Sequence, residues 1–93
     1  MTVVWLPQAI ENLVDIVDYI GTDNPAAAVE LGAQIRAKAS RLADHPTLYK
    51  PGRVRGTREC VVTENYLIVY RVKDEQVQVL RVLHARQQWP ARK

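Results

Sequence analysis

Between His45 and Gly56 the segment HPTLYKPGRVRG separates two hydrophobic rhythms that no single element can carry, and this division governs what the chain can fold into. Upstream, apolar residues recur at helical spacing; downstream, they alternate as in a strand. Two prolines and two glycines make the segment itself a loop. In the upstream half, QAIENLVDIVDYIG places Ile10, Leu13, Val14, Val17 and Ile20 along one helical stripe, with Glu11, Asp15 and Asp18 on the opposite side. Pro7 suits the first helical position, where its fixed φ is already helical and its missing N–H has no partner to lose. Gly21 is placed to end that helix through a left-handed turn. Asn24-Pro25 then supplies a side-chain cap and a first-turn proline for a second helix. Ala28, Leu31, Ile35, Ala39 and Leu42 form its apolar stripe, and Pro46 predicts a stop near Asp44 because it disfavours helical geometry in His45. Helices joined by so short a turn run antiparallel, as a hairpin.

Downstream of the loop, Cys60 and Val62 alternate with Glu59 and Thr63. TENY reads as a turn, YLIVYRV as a second strand, Asp74-Glu75 as another turn and QVQVLRVLH as a third strand. An opening strand, Val3–Leu6, joins the same sheet. The predicted architecture is α+β in the order β-α-α-β-β-β, a helical hairpin on one face of a mainly antiparallel sheet, with residues 1–93 forming one domain.

Charge adds a second asymmetry. Residues 1–49 hold three basic and six acidic side chains, and residues 50–93 hold ten basic and four acidic. The C-terminal half therefore presents a basic face, suited to nucleic acid or to an acidic protein. No apolar run approaches the ~20 residues that cross a bilayer, and MTVVWLPQ carries no basic leader pattern, so a cytoplasmic protein without membrane contact is expected. A lone cysteine, Cys60, leaves no intramolecular disulfide to form, and one Cys with two separated His predicts no structural zinc.

Several side chains carry candidate chemistry. Glu11, Asp15 and Asp18 have no histidine beside them and read as a solvated helix face. Lys50, Arg53, Arg55 and Arg58 can hold phosphates from a basic loop, although their spacing does not match a P-loop. Cys60 has no adjacent base and reads as a small core residue. Tyr66 and Tyr70 share a strand face, where core packing is expected rather than base stacking. If the last strand stays extended, His84 and Arg86 point to one face, the first able to move a proton and the second to hold a phosphate. The alternative is a structurally satisfied His84 with Arg86 in an ion pair at the sheet end. Trp89-Pro90 reads as an aromatic latch over the core edge.

Taken in order, VVWLPQAIENLVDIVDYI, NPAAAVELGAQIRAKASRLADHP, GRVRGTRE, YLIVYRVKDEQVQVLRVLH and HARQQWP resemble the RelE/ParE superfamily of type II toxin–antitoxin toxins over nearly the whole chain. The resemblance implies one of two activities. RelE-type members cut mRNA in the ribosomal A site without metal, by attack of the RNA's own 2′-OH. ParE-type members poison DNA gyrase and need no hydrolytic chemistry of their own. The ribonuclease pattern sets basic residues on the strand after the loop, an arginine in the first hairpin strand, another at the end of the last strand, and a tyrosine or histidine near the C terminus. Arg58 and Arg86 fit two of these positions and His84 can stand for the acid–base group. Cys60 and Leu67, however, fall where basic residues are expected.

The incomplete set implies a ParE-type toxin that causes growth arrest through gyrase, is not itself an enzyme and needs no cofactor. Its expected target-binding residues are Arg58, Arg71, Arg81, Arg86 and Trp89. A cognate antitoxin, with a C-terminal segment that folds over the toxin, is the second implied partner. The alternatives are a ribosome-dependent ribonuclease acting on mRNA through His84, Arg86 and Arg58, and a degenerate toxin that serves only as co-repressor with its antitoxin.

Overall fold

The structure, a computed structural model, describes residues 1–90. The order of elements follows the sequence: β1 (Thr2–Trp5), α1 (Pro7–Asp23), α2 (Pro25–Arg41), β2 (Arg58–Val61), β3 (Tyr66–Lys73) and β4 (Gln76–His84). They form one four-stranded sheet in the order β1-β4-β3-β2. β2–β3 and β3–β4 are antiparallel, and β1 lies parallel to β4 at the edge. The helices cover one face, and between the layers lie Ala9, Leu31, Ile35, Ala39, Leu42, Cys60, Ile68, Tyr70, Val77, Val79 and Val82.

The second helix matches its predicted stripe, with Ala28, Leu31, Ile35, Ala39 and Leu42 all buried. Asn24 serves both helices. Its backbone N–H donates to the Ile20 carbonyl at the end of α1, and its side-chain oxygen accepts from the Ala27 N–H at 3.1 Å. Gly21 does not stop α1, contrary to expectation: the helix continues to Asp23 and Gly21 stays helical. It lies against α2, where a Cβ would stand 3.6 Å from the Ala28 Cβ, an ordinary packing distance. The predicted stripe of α1 is also rotated. Ala9 is buried, and Leu13, Ile16 and Ile20 pack on the core, whereas Ile10 and Val14 stay about half exposed. The sheet packs against the flank centred on Ala9 and Ile16, to one side of the stripe that the spacing alone selects.

β3 and β4 meet in a two-residue turn with both Asp74 (φ 54°) and Glu75 (φ 57°) left-handed, the geometry that matches strand twist. The β3–β4 register then slips: Val69 faces Arg81, but Tyr70 faces Val79, so Leu80 is an extra residue. Strict alternation from Val77 and Val79 would drive Arg81 and Leu83 under the helices. The bulge at Leu80 instead sends Val82 and His84 inward and turns Arg81 and Leu83 outward.

Beyond Trp5, where β1 ends, β4 has no strand on its outer side among the described residues. Side chains fill the gap: Asn12 Oδ1 accepts from the Val82 N–H at 3.2 Å, and Gln87 Oε1 accepts from the His84 N–H at 3.3 Å. At the opposite edge, the loop pairs with the start of β2 through the Pro51–Arg58 bridge and the Glu59 N–H to the Lys50 carbonyl.

Candidate functional site

The bulge gives the sheet's outer face, away from the helices, its own chemistry. Leu67 and Val69 of β3 lie beside Leu83 of β4, all buried, and Leu80 and Trp89 pack over them. The chain therefore turns back after β4 and lays an indole on the sheet, as a latch predicts. Arg81 sits with its guanidinium carbon 5.2 Å from the centre of the Trp89 ring, a cation–π contact, while its Nη1 donates to the Leu80 carbonyl at 2.7 Å. Farther along the same face, Arg71 Nε donates to Gln78 Oε1 at 2.7 Å, and Gln78 donates in turn to Gln76. Arg71, Arg81 and Trp89 thus share one face.

Arg58 lies on the other side. It pairs with Tyr70, whose ring is fully buried among the core residues. Its Nη1 donates to the carbonyls of Tyr49 at 2.6 Å and Thr47 at 3.4 Å, while the Tyr70 hydroxyl donates to the Pro46 carbonyl at 2.8 Å. This neighbouring pair pins the loop after α2 from beneath. Burial pushes the Tyr70 hydroxyl above its usual range, which the nearby Arg58 charge partly offsets. An open hollow of about 350 Å³, lined by Thr47, Pro51, Gly56, Thr57, Arg58 and Val72, opens beside that guanidinium.

His84 and Arg86 do not share an extended strand, because β4 ends at His84 and residues 85–87 turn. The Arg86 N–H donates to His84 Nδ1 at 3.1 Å, and the Gln87 N–H to the His84 carbonyl at 2.9 Å. With Nδ1 an acceptor, a neutral His84 carries its proton on Nε2. The imidazole stands edge-on to Tyr66, ring centres 5.3 Å apart, on the inner face. Arg86 is exposed and makes no ion pair among the described residues. Cys60 is a core residue, its thiol pushed up by burial, with a Tyr49 hydrogen bond and the Lys38 charge only partly opposing.

The loop owes its shape to a pair that spacing alone did not single out. Arg53 donates from its backbone N–H and Nε to Glu59 Oε2 at 2.8 and 3.0 Å, and from Nη2 to Oε1 at 3.2 Å. Its Nη1 reaches the Gln87 carbonyl at 3.5 Å, tying the loop to the latch segment. Gly52 is required in this fold of the chain, since a Cβ would stand 2.5 Å from the Thr57 hydroxyl. Burial would raise the Glu59 pKa, but the hydrogen bonds and charge of Arg53 outweigh it and hold the carboxyl below its ordinary value of 4.5. Because the folded-state value is depressed, the stabilisation is present above the unfolded-state value and is lost as pH falls through the folded one. Glu59→Gln should cost about 1 kcal/mol at pH 7, a modest figure because Arg53 is part-exposed and solvent screens the pair. Denaturant melts from pH 7 down to pH 3 should show the difference from wild type shrinking below about pH 4.5. An undiminished difference at pH 3 would mean the carboxylate charge is not what Glu59 contributes.

Residues 3–89 match the family model described as the ParE toxin of the type II toxin–antitoxin system parDE. The chain belongs to the ParE toxin family. Two relatives carry toxin names. The putative toxin Y4kP of Sinorhizobium fredii is 40% identical over 87 residues, 92% of this chain and 90% of that one. Toxin RelE2 of Caulobacter vibrioides is 38% identical over 85 residues, 89% of this chain and 93% of that one. Among solved structures, the chromosomal ParDE system from P. aeruginosa superposes with a TM-score of 0.79 at 24% identity, covering 90% of this chain and 95% of that one, and so speaks to the fold. The RelBE2 toxin–antitoxin complex from Mycobacterium tuberculosis has a TM-score of 0.56 at 30% identity, covering 89% and 95%. As a ParE-family toxin, the protein has neighbours named for both ParE and RelE, so the family fixes a type II toxin and leaves its target to the residues.

Proposed function

We propose that this toxin acts in the cytoplasm by binding DNA gyrase and stalling it on cleaved DNA, and that a cognate antitoxin neutralises it by folding a C-terminal segment over the toxin. The observation that carries this reading is the outer face of the sheet. Leu67, at the position where the ribonuclease pattern has an arginine, is buried with Val69 and Leu83 beneath Trp89. A phosphate undergoing 2′-OH attack needs a base, an acid and converging positive charge. On this face Arg71 and Arg81 flank an apolar plug, with Lys73 farther along β3 and Glu59 of β2 already held by Arg53, and His84 faces the opposite side of the sheet. A plug of aliphatic side chains, an indole and flanking arginines has the composition of a protein-binding hot spot. Arg86, in the turn after β4, adds a further exposed cation; Arg58 serves the loop.

Purified toxin should make gyrase accumulate linear, protein-bound DNA in a supercoiling and cleavage assay, and antitoxin added beforehand should prevent it. Normal supercoiling at large toxin excess, together with cleavage of mRNA on ribosomes that His84→Ala abolishes, would replace this reading with the ribonuclease one.

A further inference from the structure

Where β2 begins, the flank of β3 is left uncovered. The Tyr66 carbonyl accepts from the Val62 N–H, and strand alternation gives Ile68 and Tyr70 the same side, so the main chain of all three faces β2. Val72 is next in that series. Its N–H and carbonyl point to the same flank, but β2 starts only at Arg58, opposite Tyr70. Gly56, which would stand opposite Val72, has a left-handed φ of 83° and turns the loop away. No loop residue among those described bonds to the Val72 main chain. The hollow beside Arg58 fills this gap, with Val72 on one wall and Gly56, Thr57 and Arg58 on the other. Val72 pairs with the core residue Val77, so the gap lies on the helix-facing side of the sheet, apart from Arg71, Arg81 and Trp89.

A fixed cation overlooks the gap. Two carbonyls hold Arg58 through Nη1, while its Nε and Nη2 have no partner and no carboxylate pairs with it among the described residues. Glu59, its neighbour in sequence, is taken by Arg53. Of the other acids close in sequence, Asp44 opens the loop and Asp74 and Glu75 form the turn beyond Lys73, against exposed Lys50 and Arg55 within the loop. Because the guanidinium is held before any ligand arrives, little ordering remains to oppose binding. One such charge balances one carboxylate, whereas a phosphate dianion would stay half neutralised. An amide is the group that satisfies the Val72 N–H and carbonyl together, as a neighbouring strand does. A peptide C-terminus brings both, a carboxylate and the amide just before it. At about 350 Å³ the hollow is near the lower limit of ligand-sized clefts and admits the end of a chain rather than a folded surface. We infer that it captures the free C-terminus of an extended peptide, Arg58 holding the carboxylate and Val72 pairing with the last amide.

Titration of the isotope-labelled full chain with N-acetyl-valyl-valine, followed by NMR, tests this directly. The Val72 amide and the Arg58 Nε–H should shift together and saturate with one dissociation constant. The C-terminal amide of the same dipeptide should bind roughly tenfold more weakly or worse, because it lacks the charge-assisted pair. Arg58→Gln should weaken binding of the acid by a similar factor. Should that variant fail to fold by circular dichroism, Val72→Glu carries the test: at a position 40% exposed it sets a like charge in the hollow and should have the same effect. Acid and amide bound equally would overturn the inference, as would shifts confined to other residues or no saturable binding at all. Inorganic phosphate that displaces the dipeptide at similar concentration without moving the Val72 amide would overturn it too, leaving a general anion site.

Discussion

Replacing Trp89 with alanine should cost the protein about 3 kcal/mol of stability, near the lower end for truncating a large aromatic because the side chain is part-buried. For a domain of this size that corresponds to a drop in Tm of roughly 10–20 °C. With Leu80, the indole covers Leu67, Val69 and Leu83, which β3 and β4 present to the outer face. Without it three aliphatic side chains meet water, and the Arg81 guanidinium loses the ring it rests on. Dyes that report exposed apolar surface should bind the variant well below its melting temperature. Trp89→Phe separates cover from polarity. It keeps an aromatic plug and removes the indole N–H, a buried donor with no acceptor among the described residues, so it should cost far less than alanine. Equal losses in the two variants would mean that the latch works through something other than apolar cover.

Reversing the charge of the outer face, Arg71→Glu with Arg81→Glu, should raise the toxin concentration needed for gyrase inhibition by more than a hundredfold, on the order of 3 kcal/mol of binding. Arg58→Ala makes the contrast. Its guanidinium serves the carbonyls of Thr47 and Tyr49, so its loss should lower the melting temperature while leaving inhibition by the folded protein close to wild type. Because Arg81 also rests on Trp89, the double variant is to be compared at a temperature where circular dichroism shows it folded. Unchanged inhibition by a folded double variant would remove the outer face from target binding.

Much of this architecture is legible because it rests on local rules. The change of period after His45, the Asn24-Pro25 junction and the α2 stripe each follow from spacing and capping alone, and the structure reproduces them. What spacing cannot express is direction relative to a third element. α1 offers apolar residues over a broad arc, and which part is buried depends on where the sheet lies, so Ile10 and Val14 fall on the stripe that spacing selects and yet stay half exposed. The faces of β4 were obscured for a related reason. One extra residue, Leu80, reverses the alternation for everything after it and decides that Arg81 faces outward while His84 faces inward. The sequence VLRVLH does carry a trace of this, in two adjacent apolar pairs where alternation would have one. The five residues grouped by charge as a single surface separate accordingly: Arg71, Arg81 and Trp89 outward, Arg58 beneath the loop, and Arg86 in the turn after β4. Arg53 and Glu59, six positions apart across a glycine-bounded loop, become partners only when the loop closes.

The side chains that occupy the open flank of β4 give the sheet a direction of growth. With Asn12 and Gln87 holding the Val82 and His84 amides, and residues 50–51 paired with the start of β2, an incoming strand finds its longest free ladder along the outer edge of β1, only four residues long. So short a template suits brief, in-register docking by another chain better than endless stacking of identical sheets. Two amide side chains thereby close the flank of the longest strand and leave only the short edge of β1 open to an incoming strand.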